Sequence, residues 1–124
     1  MNFAEIQEKF ALCKSWEERY RLLIQLSRQL PKLSETELQN IPEIHGCESR
    51  LWFEFVKHPR KVTAYSDARL MQGILMIAQT ALLEKSDAEL ANFNLQQMFD
   101  ELKITPHLTS TRLNGLQQIQ ALIK

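Results

Sequence analysis

The residues best suited to chemistry lie in one short run, Ile44-His45-Gly46-Cys47-Glu48-Ser49-Arg50-Leu51-Trp52, which sets a cysteine directly after a glycine and just before a hydrophobic stretch. Glycine takes backbone angles closed to other residues, so Gly46 can turn the chain sharply and present Cys47 at the tip of a loop. A thiol held in this way can meet a partner. Its nucleophilicity follows its thiolate fraction, which His45 and Arg50 favour and which Glu48 and any apolar burial oppose. These local features leave two readings of Cys47 open, a reactive loop thiol and a buried structural one, because cysteine commonly behaves as a small interior hydrophobe.

Other chemistries find less support. Cys13 ends an apolar stripe and reads as core. A zinc site takes about four ligands at compatible spacing, and His45, Cys47, His58 and His107 form no such pattern. Cys47 with a histidine has no local protease signature. Glycines stand only at 46, 73 and 115, so no phosphate-cradling loop exists. The charges of Glu17, Glu18, Arg19 and Arg21 read as the solvated face of a helix, and the Lys57 to Lys61 cluster as a solvated turn.

The elements that must position this run follow from periodicity and capping. Phe3, Ile6, Phe10 and Cys13 recur at helical spacing, and Ser15-Trp16-Glu17-Glu18 opens a second helix with the stripe Trp16, Tyr20, Leu23, Leu26 and Leu30, stopped before Pro31. Ser34-Glu35-Thr36-Glu37 starts a short helical piece, and Asn40-Ile41-Pro42 reads as loop. Leu51, Phe53 and Phe55 then alternate with Trp52, Glu54 and Val56, and Val62, Ala64 and Tyr65 form a second extended segment, which predicts a hairpin with a proline in its turn. Ser66-Asp67 reads as the N-cap of a long apolar helix carrying Leu70, Ile74, Leu75, Ile77, Ala78 and Leu82. Further caps at Ser86, Asn94 and Thr109 start three more helices, the last with Leu113, Leu116, Ile119 and Ile123 inward. Helices followed by strands and more helices, without βαβ alternation, predict an α+β fold.

The chain of 124 residues reads as a single domain, 1–124, and its 44% hydrophobic content is enough for a core without disulfides. Fifteen Lys and Arg balance 15 Asp and Glu, which argues against nucleic-acid and membrane-surface partners. The stretch from Leu70 to Leu83 is free of charge but shorter than the ~20 residues that span a bilayer. No secretory signal opens the sequence and two cysteines make no disulfide framework, so a cytoplasmic location is expected.

Five blocks in order, Trp16-Glu17-Glu18-Arg19-Tyr20, Leu30-Pro31, His45 to Trp52, Ser66-Asp67-Ala68 with Gly73, and Leu108 to Leu116, together resemble the SufE/CsdE family of cysteine-desulfurase sulfur acceptors. The resemblance runs from about Phe10 to the C-terminus. It implies a small curled antiparallel sheet flanked by helices, similar to the IscU-type scaffold. It also implies that Cys47 forms a persulfide with sulfur from a cysteine desulfurase of the SufS or CsdA kind. That sulfur then passes to an iron-sulfur scaffold or another sulfur pathway. The implied protein is a carrier and not an enzyme; it needs no cofactor of its own, since the pyridoxal phosphate (PLP) resides in the desulfurase, and it is a monomer or weak homodimer. His45, Gly46, Ser49, Arg50, Trp52, Ser66, Asp67 and Arg112 fall on family-pattern positions and are expected to shape or hold the loop. Two other readings remain: an IscU-like metal or iron-sulfur scaffold, and an interaction module in which the thiol is incidental.

Overall fold

A computed structural model describes residues 1–46 and 48–123 of the chain. Side-chain caps start most of its helices. Asn2 and Glu5 form a reciprocal capping box at α1 (Phe3–Leu12), as do Ser34 and Glu37 at α3 (Glu35–Leu38) and Ser86 and Glu89 at α5 (Asp87–Ala91). Ser15 caps α2 (Trp16–Ser27), Asn94 caps α6 (Leu95–Glu101) and Thr109 caps α7 (Ser110–Leu122). A 3₁₀ turn at Thr105–His107, with its proline, separates α6 from α7.

The strands are β1 (Glu43–Ile44), β2 (Leu51–Val56) and β3 (Lys61–Ser66), in the order β1-β2-β3 with both pairings antiparallel, so the molecule is α+β. Ile44 faces Leu51 in the first pairing, and Phe53 faces Ala64 in the second. Strand β1 falls just after the stretch read as loop; two residues are too few to show a period.

The sixteen residues of α4 (Arg69–Glu84) pack against both α2 and β3. Gly73 makes the first contact possible: a Cβ there would stand 2.3 Å from the carbonyl oxygen of Leu23 on α2. Ile74, Leu75, Ile77, Ala78 and Leu82 are fully buried, joined by Leu23, Leu26, Leu51, Phe53 and Phe99.

Two local expectations are corrected. On α2, Trp16, Leu23 and Leu26 turn inward but Tyr20 remains 43% exposed, edge-on to Trp16, and the helix ends at Ser27 so that Leu30 is buried from the turn that follows it. Arg19 is buried instead and donates to the carbonyl of Cys13, closing the end of α1. The Lys57 to Lys61 turn is not simply solvated. Arg60 donates to the carbonyls of Leu82 and Lys85 at the end of α4, pairs with Asp87 at 2.5 Å, and lies over the Phe55 ring.

Candidate functional site

The short pairing of β1 with β2 makes residues 45–50 the connection of an antiparallel hairpin. Cys47 lies outside the described residues, so the site is built from its chain neighbours and from what holds them. Gly46 has φ +91°, in the region that favours glycine, which is the sharp turn expected of it.

On the C-terminal side, Arg50 ties the connection to the sheet. Its guanidinium grips both carboxylate oxygens of Glu43, at 3.1 and 3.0 Å, and lies 4.6 Å from the centre of the Trp52 ring. The Arg50 hydrogen bonds hold the Glu43 carboxyl below its ordinary pKa, and the same contact raises that of Arg50. The Arg50 amide donates to Asp67 Oδ1 at 3.0 Å, while its carbonyl accepts from Ser66 Oγ at 2.6 Å. Ser66 is wholly buried, and its Oγ also accepts from the amide of Ala68.

Ser66 and Asp67 therefore do not cap α4 as their sequence suggests. The N-cap is Ala68, with no side-chain cap bond, and the two polar side chains are turned toward Arg50 across the hairpin. Trp52, although it alternates with the inward residues of β2, is only 5% exposed, lying under Arg50 and beside Tyr65. Ser49 Oγ is buried and finds no hydrogen-bond partner among the described residues.

Glu48 points toward the start of α7. Its Oε1 accepts from the hydroxyls of Thr109 and Thr111, the latter at 3.0 Å, with Arg112 Nε 3.7 Å away. The two hydroxyls, and then Arg112, hold the Glu48 carboxyl below its ordinary pKa. Arg112 is largely shielded from solvent, with its side chain 18% exposed.

On the N-terminal side, the carbonyl of His45 accepts from Gln118 Nε2 of α7 at 2.7 Å. Gly46 approaches the same helix, and a Cβ on it would lie 3.0 Å from the side-chain nitrogen of Asn114. The His45 side chain is exposed and makes no hydrogen bond among the described residues.

His45, Gly46, Ser49, Arg50, Trp52, Ser66, Asp67 and Arg112 thus all lie in or against one connection. Glu43 and Gln118 complete its surroundings without having been singled out in the sequence, and so do Thr111 and Asn114, which stood there only as part of the block Leu108 to Leu116. Thr109, Thr111 and Gln118 are 61 to 73 positions away from the groups they touch, a separation that carries no local pattern. Thr109 reads as a helix cap, which it also is.

A groove of about 330 Å³, lined by Glu35, Leu38, Gln39, Ile41, Glu43, Arg50 and Trp52, opens beside the Arg50 side of the connection. Among the described residues no three His, Cys, Asp or Glu side chains are grouped to hold a metal. No described helix is long and apolar enough to cross a membrane. Cys13, the other cysteine, donates its thiol to the carbonyl of Lys9, and burial, then Glu18, raises its pKa above the ordinary thiol value.

The family model described as SufE, an Fe-S metabolism associated domain, matches residues 4–124. The chain is 39% identical over 120 residues to a protein of Haemophilus influenzae named "Uncharacterized SufE-like protein", covering 94% of this chain and 95% of that one. It is 34% identical over 121 residues to the "Sulfur acceptor protein CsdE" of Escherichia coli, covering 95% of this chain and 82% of that one.

Proposed function

The chain belongs to the SufE family, and from that premise we propose that it is a sulfur acceptor that takes sulfane sulfur from a PLP-dependent cysteine desulfurase onto Cys47. The persulfide then passes to iron-sulfur cluster assembly or another sulfur-using pathway in the cytoplasm. The protein acts as a carrier, as a monomer or weak homodimer, and the carbon-sulfur bond of cysteine is broken on the partner.

One observation carries the reading beyond family membership. The connection that contains Cys47 is held on both flanks by side chains from other elements: Gln118 on His45, the α7 hydroxyls on Glu48, and Glu43, Ser66 and Asp67 on Arg50. Such a scaffold suits a thiol that must be offered repeatedly to other proteins from one place.

The chemistry is thiol exchange at sulfur. The Cys47 thiolate attacks the outer sulfur of the donor persulfide, a new S–S bond forms on Cys47, the S–S bond of the donor breaks, and the donor cysteine leaves as thiolate. The proton on the outer sulfur travels with it or is lost to solvent, and no external oxidant or reductant is consumed.

The test is incubation with a cysteine desulfurase and free cysteine, followed by mass spectrometry. One added sulfur on the peptide carrying Cys47 is expected. Cys47→Ser abolishes both the label and any stimulation of desulfurase turnover, whereas Cys13→Ser retains both. A Cys47 peptide that stays unmodified with desulfurases of both the SufS and the CsdA kind overturns the proposal.

A further inference from the structure

The charges around the groove beside Arg50 do not balance. Glu35 and Glu43 line it with a single cation, Arg50, whose guanidinium is occupied by both carboxylate oxygens of Glu43. Glu35 is left over. It is exposed in the first turn of α3, whose cap is made by Ser34 and Glu37 instead, and its carboxylate makes no hydrogen bond or ion pair among the described residues. Its charge reaches Arg50, whose pKa is raised by the Glu43 hydrogen bond first and then by the charges of Glu43, Glu35 and Asp67. Behind this acidic rim the wall is apolar. Leu38 and Ile41 are half-buried, Trp52 is almost wholly buried, and the space beside them is about 330 Å³. Such a site suits a long side chain with an apolar stem and a cationic head. An anion would face Glu35 and find Arg50 already paired, and a metal ion would find no third ligand grouped there among the described residues. Resting on the reading of this chain as the acceptor for a cysteine desulfurase, we propose that the groove receives a lysine or arginine side chain of the desulfurase, its head against Glu35 and its stem along Leu38, Ile41 and Trp52.

The size of a protein interface ties this groove to the desulfurase. Arg50 lines the groove and also anchors the β1–β2 connection, through its amide to Asp67 and its carbonyl to Ser66. It follows Cys47 by three residues in the chain, a backbone span of at most ~11 Å. An interface of ordinary size covers ~800 Å² on each partner, a patch roughly 30 Å across. A desulfurase that engages the connection therefore covers the groove as well. Glu35 acts there as a rim charge, which steers encounter and selects the partner more than it adds affinity. An exposed ion pair of this kind shifts a binding constant by up to roughly fivefold.

Glu35→Gln removes the charge and keeps the shape, and Glu35→Lys reverses the charge. Neither touches the cap made by Ser34 and Glu37, so the melting temperature should hold. Binding to purified desulfurases of the SufS and CsdA kinds is then measured at low and high salt. Glu35→Gln should raise the dissociation constant roughly two- to fivefold and Glu35→Lys roughly tenfold or more, and both differences should shrink at high salt. The half-saturating concentration of this protein in desulfurase turnover should rise by the same factors while the plateau stays in place. Glu17→Gln, the same charge change on the exposed face of α2, should leave binding where it is. Equal binding by the wild type and both Glu35 variants, or an equal loss in Glu17→Gln, overturns the proposal. So does weaker self-association of Glu35→Gln in sedimentation of the chain alone with desulfurase binding unchanged, since the occupant is then a second copy. Cys47→Ser measured alongside judges the underlying reading separately: stimulation that persists in it removes the sulfur-acceptor function, while the dependence of binding on Glu35 still decides whether the groove receives the desulfurase.

Discussion

Arg50 joins three pieces of chain through groups of different character. Its guanidinium holds Glu43 on β1, its amide is bound by Asp67, and its carbonyl is bound by Ser66 at the end of β3. Glu48, two residues back, makes the link to α7. Both carboxylates, Glu43 and Glu48, have pKa values lowered in the fold, by the Arg50 hydrogen bonds and by the threonine hydroxyls respectively. A lowered folded pKa means that these ties contribute fully above the unfolded value of about 4.3 and are lost as pH falls through the lower folded value. Carboxyl titration followed by NMR should give midpoints below ~4.3 for both residues. In Arg50→Gln the Glu43 midpoint should rise toward the ordinary value while that of Glu48 stays. A Glu43 midpoint indifferent to Arg50→Gln would show that the bidentate pair does not persist in solution. Cys13 behaves in the opposite sense: its raised pKa leaves little thiolate at neutral pH. Its alkylation rate in a Cys47→Ser background should therefore increase with pH to a midpoint above the ordinary ~8.5.

At the scale of elements, α4 joins the β2–β3 hairpin to the helical layer. Helix α4 packs on α2 through the bare backbone at Gly73 and on β3 through its apolar face. Gly73→Ala drives a methyl group into the Leu23 carbonyl, which forces the helices apart and should destabilise the fold by about 1–3 kcal/mol in a denaturant titration. Sulfur loading of the fraction that remains folded should be unaffected, since the change is on the α2 side of the helix. Ser66→Ala acts at the other end. It leaves the part-buried amide of Ala68 without its partner and removes one of the bonds to the Arg50 carbonyl, a loss of about 1–3 kcal/mol that should also loosen the connection. Ser66 shows why part of this architecture was not legible from the sequence. A Ser-Asp pair before an apolar run has the composition of an N-cap, and only the antiparallel pairing of Leu51 with Ser66 turns the pair toward the loop instead. Elements with a strong local signal, such as the caps at Ser34, Ser86 and Thr109 and the alternation of β2, stand where residue type and spacing place them. Arg60 had no such signal. Its partners Leu82, Lys85 and Asp87 are distant in sequence and two of the three contacts are to backbone carbonyls, which sequence spacing does not reveal.

For the molecule as a whole, the competing scaffold reading turns on the supply of ligands. An iron-sulfur cluster is held by about four thiolates or by thiolates with histidines. The chain has two cysteines and three histidines. Cys13 is committed to the corner between α1 and α2, with its thiol donating to the Lys9 carbonyl and its own carbonyl taken by Arg19. His107 is stacked on Trp16 at 4.3 Å, and His58 is paired with Asp87 at 2.8 Å at the far turn of the hairpin. That leaves His45 and Cys47, two potential ligands where a cluster takes about four, and the neighbouring carboxylates are engaged, Glu43 by Arg50 and Glu48 by Thr109 and Thr111. Anaerobic reconstitution with iron and sulfide should therefore give no visible chromophore that survives gel filtration. The same preparation, treated instead with a desulfurase and cysteine, should carry one labile sulfur per chain that cyanide or a thiol removes. A stable brown protein in the first experiment, lost in Cys47→Ser, would replace the carrier by a scaffold. It would also require ligands from a second copy of the chain, because one copy cannot complete the coordination sphere with these side chains.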